Sequence, residues 1–233
     1  MQPLSFTWLG HSTFFFRSPG GKQILIEPWV ASNPACPPEA KKIDALDLIL
    51  ITHGHSDHAG DAAALARATG AHVIANYEIC LWLEAKGIQN TAPMGHGGTQ
   101  VVGGLAITMV NAVHGSSALE DGRLVYLGQP CGYVIKFEDG LTIYFAGDTD
   151  VFGDMRLIGE MHRPSIAFLP VGDRFTMGPA GAAKSAELLG VRQVVPMHYG
   201  TFPFLTGTPA QLRELLAPRG VELLELRPGE TAS

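Results

Sequence analysis

Three imidazoles and one carboxylate lie within six consecutive residues, directly after an apolar run at residues 46–51. They are His53, His55, Asp57 and His58. The intervening Gly54 and Ser56 favour a turn at the end of a strand. At such a turn the first two histidines can point one way while Asp57 and His58 point another, which suits two metal ions better than one.

The chemistry of this cluster favours a metal site. Neutral imidazole together with carboxylate suits a borderline or hard divalent ion such as zinc, manganese or iron. The alternative is a solvated polar loop whose histidines cluster by chance. With nine histidines in 233 residues, three of them within six positions argue against that alternative. A motif remains a hypothesis until its structural context is known.

Three further candidate ligands each follow an apolar run elsewhere in the chain. They are His114 after residues 105–113, Asp148 after residues 141–147 and His198 after residues 194–197. Polar residues placed after strands can converge on one rim of a sheet assembly, where functional sites commonly gather. Taken singly, a histidine at a strand end is more often a hydrogen-bonded core or rim residue, and Asp148 could simply begin a turn. Their agreement with the cluster at residues 53–58 favours a shared site.

Composition and charge exclude several other classes of protein. Hydrophobic residues make up 46% of the chain and charged residues 16%, which is typical of a globular protein. The net charge of −6 and the lack of a basic run argue against nucleic-acid binding. No apolar run approaches the roughly 20 residues that span a bilayer. The first six residues lack the pattern of a signal peptide, so we expect a cytoplasmic protein with no membrane partner.

The cysteines and the order of predicted elements indicate how the chain folds. Cys36, Cys80 and Cys131 are odd in number and widely spaced, which predicts buried free thiols rather than disulfides. No linker rich in proline, glycine or serine interrupts the chain, so we expect residues 1–233 to form a single domain. Strands are predicted at residues 4–8, 14–16, 24–26, 101–112, 123–147, 166–171 and 191–197. Helices are predicted at residues 61–68, 76–87 and about 180–189, and after a capping box at residues 208–211.

This order predicts an α+β protein. Two halves, each made of strands and helices, would pack sheet to sheet, and the helices would cover both outer faces. Residues 32–41 carry three prolines and are predicted to form a loop. Residues 138–140 are predicted to form a tight turn between two antiparallel strands.

The candidate ligands resemble those of the metallo-β-lactamase superfamily, in which His-x-His-x-Asp-His is followed by a His, an Asp and a His, each after a strand. Four further segments are similar to a branch of compact metal-dependent hydrolases that includes the ascorbate-6-phosphate lactonase. They are Trp-Leu-Gly-His-Ser-Thr at 8–13, Leu-Pro-Val-Gly at 169–172, Thr-Met-Gly-Pro at 176–179 and Pro-Met-His-Tyr-Gly-Thr at 196–201. A more distant similarity is to the N-acyl-phosphatidylethanolamine phospholipase D proteins. The resemblance covers residue 4 to about residue 205 and implies a four-layer αββα sandwich of the metallo-β-lactamase type.

The resemblance also implies how the seven ligands divide. One ion would take His53, His55 and His114, the other would take Asp57, His58 and His198, and Asp148 would bridge the two. Two ions about 3.5–4 Å apart can share a hydroxide and polarise the scissile group. A bridging carboxylate partly offsets the repulsion between the cations. Asp57 could in addition orient or accept a proton, which makes Asp57 and Asp148 the candidate catalytic residues.

The function implied is that of a metal-dependent hydrolase. A hydroxide shared by two divalent ions, zinc or manganese before iron, would cleave an ester, lactone or phosphodiester bond in a small substrate. A true lactamase would be indicated by a cysteine in place of Asp148, and an RNA-processing nuclease would need a large late insertion. The alternatives are a di-iron oxidoreductase with the same ligands, or a metal-binding module without turnover. The first would need a flavin partner or redox role that nothing in the sequence supplies, and the complete ligand set argues against the second. The sequence allows a homo-oligomer.

Four residues are weaker candidates for binding substrate. They are His11, Arg174, Thr176 and Tyr199. The resemblance places His11 near the metals, although a histidine that caps the first hairpin explains it equally well. The other three lie in segments that should border the cleft, and only Arg174 can hold an anionic group bidentately. Exposed loop arginines are nevertheless common. The remaining histidines, at positions 72, 96 and 162, match no ligand position and are expected on the surface or in the core.

Overall fold

Two seven-stranded sheets form the centre of the molecule. The computed structural model describes residues 2–233. The first sheet contains, in spatial order and numbered along the chain, β16 (Thr231–Ala232), β1 (Ser5–Trp8), β2 (Phe14–Arg17), β3 (Gln23–Ile26), β4 (Leu48–Leu50), β5 (His72–Asn76) and β6 (Thr91–Met94). The second contains β15 (Glu222–Leu223), β14 (Gln193–Met197), β13 (Ile166–Pro170), β12 (Thr142–Phe145), β11 (Cys131–Lys136), β8 (Leu105–Asn111) and β7 (Thr99–Val102). A separate hairpin is formed by β9 (Ser117–Glu120) and β10 (Arg123–Tyr126).

Within residues 2–233, six α-helices accompany the sheets. They are α1 (Ser56–Ala59), α2 (Ala62–Thr69), α3 (Tyr77–Ala85), α4 (Met155–His162), α5 (Pro179–Leu189) and α6 (Pro209–Leu216). The Asn76 side chain caps α3 by accepting a hydrogen bond from the Ile79 amide at 2.8 Å. Thr208 and Gln211 form the predicted capping box of α6. Short 3₁₀ turns occur at Pro38–Ala40 and Ala217–Arg219.

The strand directions bring several strand ends to a common edge of each sheet. In the first sheet β3, β4, β5 and β6 run parallel, and in the second β12, β13, β14 and β15 run parallel. Strand β8 pairs antiparallel with β11, which in turn pairs antiparallel with β12. The carboxyl ends of β8, β12 and β14 therefore lie at the same edge of the second sheet. The loops that follow these strands carry the candidate ligands.

Aromatic side chains from both sheets form the interior between them. The ring of Phe14 from the first sheet lies 5.0 Å, centroid to centroid, from the ring of Phe168 in the second. Phe6 lies 5.1 Å from the same ring, and both contacts are edge-on, a favourable geometry for aromatic pairs. All three side chains are buried. A second apolar cluster packs α2 and α3 against the outer face of the first sheet, through residues such as Ile49, Val73 and Leu83.

The predicted α+β class and layered sandwich are confirmed, with local corrections. The strands at residues 72–76, 91–94 and 117–120 and the helix at residues 155–162 were not predicted. Each is a short segment of four to eight residues, too brief to show a clear period. Residues 32–41, predicted as loop, include the 3₁₀ turn at Pro38–Ala40. In α6, Leu212 and Leu216 are buried, whereas Leu215 lies on the outer side of the helix and is 37% exposed.

The three cysteines are free and buried, as predicted. Across residues 2–233, no helix combines the length and the apolar character needed to cross a bilayer.

Candidate metal centre

The central motif is divided between an extended segment and a helical turn. Strand β4 ends at Leu50, and the chain is still extended at His55, with φ −65° and ψ 149°. Helix α1 begins at the next residue, so Asp57 and His58 lie on a turn of helix. This change of backbone conformation divides the motif into an extended part with His53 and His55 and a helical part with Asp57 and His58. The sequence predicted such a division from the turn-favouring residues within the motif.

Two groups of potential ligands contain the predicted residues other than Asp148, and Glu27 forms a third group with His53 and His58. His53, His55 and His114 each place a ring nitrogen within 4.8 Å of the others. A second group, within the same distance limit, contains His11, Asp57, His58 and His198. The groups are adjacent, since the rings of His53 and His58 lie 4.1 Å apart, centroid to centroid.

Asp148 lies between the two groups. Its Oδ2 atom is 3.0 Å from His198 Nε2 and 3.3 Å from His58 Nε2. The same oxygen is 3.6 Å from His114 Nε2 and 3.9 Å from His53 Nε2. The carboxylate is only 3% exposed. The structure thus brings all seven predicted ligands together, with one carboxylate oxygen near imidazoles of both groups.

A buried glutamate that the sequence analysis did not select holds two parts of the motif. Glu27 accepts a hydrogen bond from His58 Nδ1 through Oε2, and from the Thr52 amide through Oε1 at 2.8 Å. Its Oε2 also lies 3.9 Å from His53 Nδ1. Because Glu27 engages Nδ1 of His58, the Nε2 atom of that ring is the one directed at Asp148. Carboxylates often orient metal-binding histidines in this way.

His11 contacts the second group directly. Its Nε2 donates to Asp57 Oδ2 at 3.2 Å, and its ring centroid lies 3.9 Å from that of His198. Its Nδ1 is hydrogen-bonded to Thr201 Oγ1 at 3.0 Å, and its carbonyl accepts from the His198 amide at 3.0 Å. The residue is buried and has a left-handed backbone, with φ +55°. His11 also belongs to the turn between β1 and β2, where Leu9 donates to Thr13.

Burial and charge set the protonation of the centre. Burial lowers the pKa of His53, His55 and His114 below that of a free imidazole, which favours the neutral form that metal binding requires. Burial raises the pKa of the Asp148 carboxyl, but the nearby His198 and His58 outweigh burial and hold that pKa well below its usual range. Burial opposes the charged form of His58 also, yet Asp148 and Glu27 keep its pKa well above the ordinary value.

Unpaired buried atoms show that the residues fit a divalent ion. Among residues 2–233, three buried atoms of the ligand set find no hydrogen-bond partner: His58 Nε2, Asp148 Oδ1 and His198 Nδ1. Buried polar atoms left unpaired are costly and rare. Imidazole nitrogen and carboxylate oxygen are common donors to borderline divalent ions, and a cation at this point would satisfy such atoms.

The other three weaker candidates contact residues outside the two ligand groups. Arg174 is exposed and stacks over the ring of Phe204, with Cζ 5.2 Å from the ring centroid. Thr176 is half-buried and donates to the Met177 carbonyl at 3.2 Å. The ring of Tyr199 packs on Trp8 with centroids 5.0 Å apart. The three unassigned histidines lie elsewhere. His72 is hydrogen-bonded to the Asn90 side chain, His96 is hydrogen-bonded to the Pro130 carbonyl, and His162 is the last residue of α4. All three were expected on the surface or in the core, and His162 is half-buried at the end of the helix.

Known proteins are similar to this chain in sequence and in fold. Residues 22–199 match the family described as beta-lactamase superfamily domain. A UPF0173 metal-dependent hydrolase of Rubrobacter xylanophilus is 53% identical over 227 residues, which is 96% of this chain and 94% of the relative. One from Koribacter versatilis is 49% identical over 233 residues, covering 100% and 99%. Igni18, a metallo hydrolase from Ignicoccus hospitalis, superposes with a TM-score of 0.86 at 35% identity, covering 98% and 97%.

The chain therefore belongs to the β-lactamase superfamily and, within it, to the UPF0173 metal-dependent hydrolases. The predicted superfamily, fold and enzyme class are confirmed. The protein is a metal-dependent hydrolase whose cluster of histidines and aspartates is able to hold metal.

Proposed function

We propose that the protein binds two divalent ions, zinc or manganese, and hydrolyses an ester, lactone or phosphodiester bond in a small substrate. His53, His55 and His114 would hold one ion, and Asp57, His58 and His198 the other. The observation that supports the pair most strongly is the position of Asp148, whose Oδ2 atom lies within 4 Å of imidazole nitrogens from both groups. A single ion would leave one group of three ligands without a partner.

The chain's own residues would prepare the site in distinct ways. Bound divalent ions lower the pKa of water and polarise a scissile bond. Asp148 supplies a buried negative charge that offsets the repulsion between two cations. Glu27 fixes the His58 ring so that Nε2 faces the centre.

Asp57 is suited to handle a proton. Its side chain is 29% exposed, compared with 3% for Asp148, so it faces the solvent side of the centre. Its Oδ2 atom, 3.2 Å from His11 Nε2 and 3.9 Å from His58 Nε2, would be the oxygen that binds the ion, which leaves the other oxygen to orient a water molecule or accept its proton. Substrate would enter from the same side, and Arg174, on the loop that follows β13, would bind an anionic group of the substrate.

The bond class can be tested with a substrate panel. Protein stripped by chelation and reloaded with zinc or manganese would be assayed on simple esters, lactones and phosphodiesters. We expect hydrolysis of at least one class, loss of turnover on chelation and recovery when the metal returns. Fully loaded protein that cleaves no member of the panel would contradict the proposed chemistry. Strong visible absorption from the purified protein would instead favour the di-iron alternative, because zinc and Mn(II) are nearly colourless.

A further inference from the structure

We infer that the substrate cleft has an aromatic wall, formed by Phe202, Phe204 and Phe175, and that this wall binds an aryl or similarly sized apolar group next to the scissile bond. The inference rests on the proposed hydrolysis. It adds a substrate class, because the metal ligands alone do not indicate the chemistry of the substrate beyond the scissile bond.

The wall begins at the metal centre. The ring of His11, which contacts Asp57, lies 5.6 Å from the ring of Phe202, centroid to centroid. The buried Trp29 packs behind Phe202, with centroids 6.1 Å apart. Phe202 stacks on Phe204 with centroids 5.4 Å apart and an interplanar angle of 14°. The rings therefore form a continuous apolar surface that leads outward from the metal ligands.

The outer end of the wall is open to solvent. Phe204 is 38% exposed, and Phe175 is 53% exposed and lies 5.5 Å from it in an edge-on arrangement. Single exposed apolar residues need no explanation, whereas a contiguous apolar surface beside a polar centre is typical of a ligand site. These rings adjoin the point where the scissile group would bind, so the fitting occupant is the apolar part of a small substrate.

The two loops that carry the wall are held together. They follow the parallel strands β13 and β14, so both leave the sheet at the edge where the ligands lie. The Gly207 amide donates to the Gly172 carbonyl at 3.1 Å, and the Val171 amide donates to the Met197 carbonyl at 3.0 Å. These bonds join the loop bearing Phe175 to the loop bearing the other two phenylalanines.

Strain and charge also fix the outer rings. Asp173 and Arg174 have consecutive left-handed backbones, with φ +64° and φ +62°. Such strain in residues other than glycine is concentrated at functional sites. The guanidinium carbon of Arg174 lies 5.2 Å from the Phe204 centroid and 5.6 Å from the Phe175 centroid, within the range of a cation–π contact. The wall is therefore ordered before substrate arrives, which reduces the entropy lost on binding.

The wall can be tested by binding, without turnover. Titration calorimetry on metal-loaded protein would compare 3-phenylpropanoate, a carboxylate with a ring, with butanoate, a carboxylate without one. Both can place the carboxylate on the metal centre, but only the first can contact the wall. We expect 3-phenylpropanoate to bind roughly 10-fold more tightly. Phe204→Ala and Phe175→Ala should each weaken its binding by roughly 2- to 10-fold and leave butanoate unchanged.

Met161→Ala is the matched control, since Met161 is a large apolar residue that is 76% exposed on α4. Its affinities should equal those of the wild type. Equal affinity of the wild type for the two carboxylates, or an equal loss for both in the phenylalanine variants, would overturn the wall. Hydrolysis of panel compounds alongside that result would leave the proposed function standing. Binding that depends on the wall, without hydrolysis of any panel compound, would support the wall and count against the proposed function.

Discussion

Asp148→Asn is expected to lower turnover by several orders of magnitude while the fold stays intact. Asparagine keeps the volume of the side chain but removes the charge that lies between two groups of imidazoles. Loss of one good electrostatic stabiliser costs roughly 10²–10³-fold in rate, and loss of an ion as well should cost more. Turnover on the best panel substrate measures the effect, elemental analysis gives the metal content, and circular dichroism checks folding.

Two control variants separate this effect from general damage. Asp154→Asn makes the same change at an exposed residue whose side chain, within residues 2–233, makes no capping hydrogen bond to α4. His162→Ala removes an imidazole at the far end of that helix. Both should turn over substrate at nearly the wild-type rate. If Asp148→Asn also kept near-normal turnover with two ions bound, the bridging role would be wrong, and the mechanism would have to be built on His53, His55 and His114 alone.

Glu27→Gln is expected to weaken binding of one ion by roughly 10- to 100-fold, the usual cost of losing a carboxylate that orients a metal-binding histidine. Glutamine preserves the volume and can still accept from the Thr52 amide. It lacks the negative charge that holds the His58 ring, so the ion held by His58, Asp57 and His198 should be the one affected. Competition with a chromophoric chelator would measure both affinities.

Glu138→Gln provides the comparison for this variant. Glu138 is a half-buried carboxylate that accepts a hydrogen bond from Ser18 at 2.7 Å. It lies in the turn between β11 and β12, at the opposite end of β12 from Asp148. Its substitution should leave both metal affinities unchanged. If Glu27→Gln bound both ions as tightly as the wild type does, Glu27 would support the fold and not metal binding.

The convergence of the candidate ligands was predictable because they come after strands. His114, Asp148 and His198 come directly or within a few residues after apolar runs, and parallel or like-directed strands bring such positions to one edge. Glu27 follows β3 in the same way and carried the same signal. Its hydrogen-bond partner His58, however, is 31 residues away in the chain. Only the pairing of β3 with β4 brings Glu27 and His58 together.

The aromatic wall could not be predicted from the sequence. Phe202 and Phe204 lie in an irregular segment without helical or strand period, so no pattern indicates which way their rings point. The contact between Phe204 and Phe175 depends on hydrogen bonds between two loops that are about 30 residues apart in the chain. The strand at residues 91–94 was missed for a related reason, because it contains a proline and only four residues.

The number of divalent ions per chain is the most direct test of the proposed two-ion centre. Purified protein would be stripped with a chelator, equilibrated with zinc or manganese and desalted, and its metal content measured by mass spectrometry against a protein concentration from amino-acid analysis. The arrangement of six candidate ligands in two groups around Asp148 predicts saturation at two ions per chain. Saturation at one ion per chain, with either metal, would contradict it.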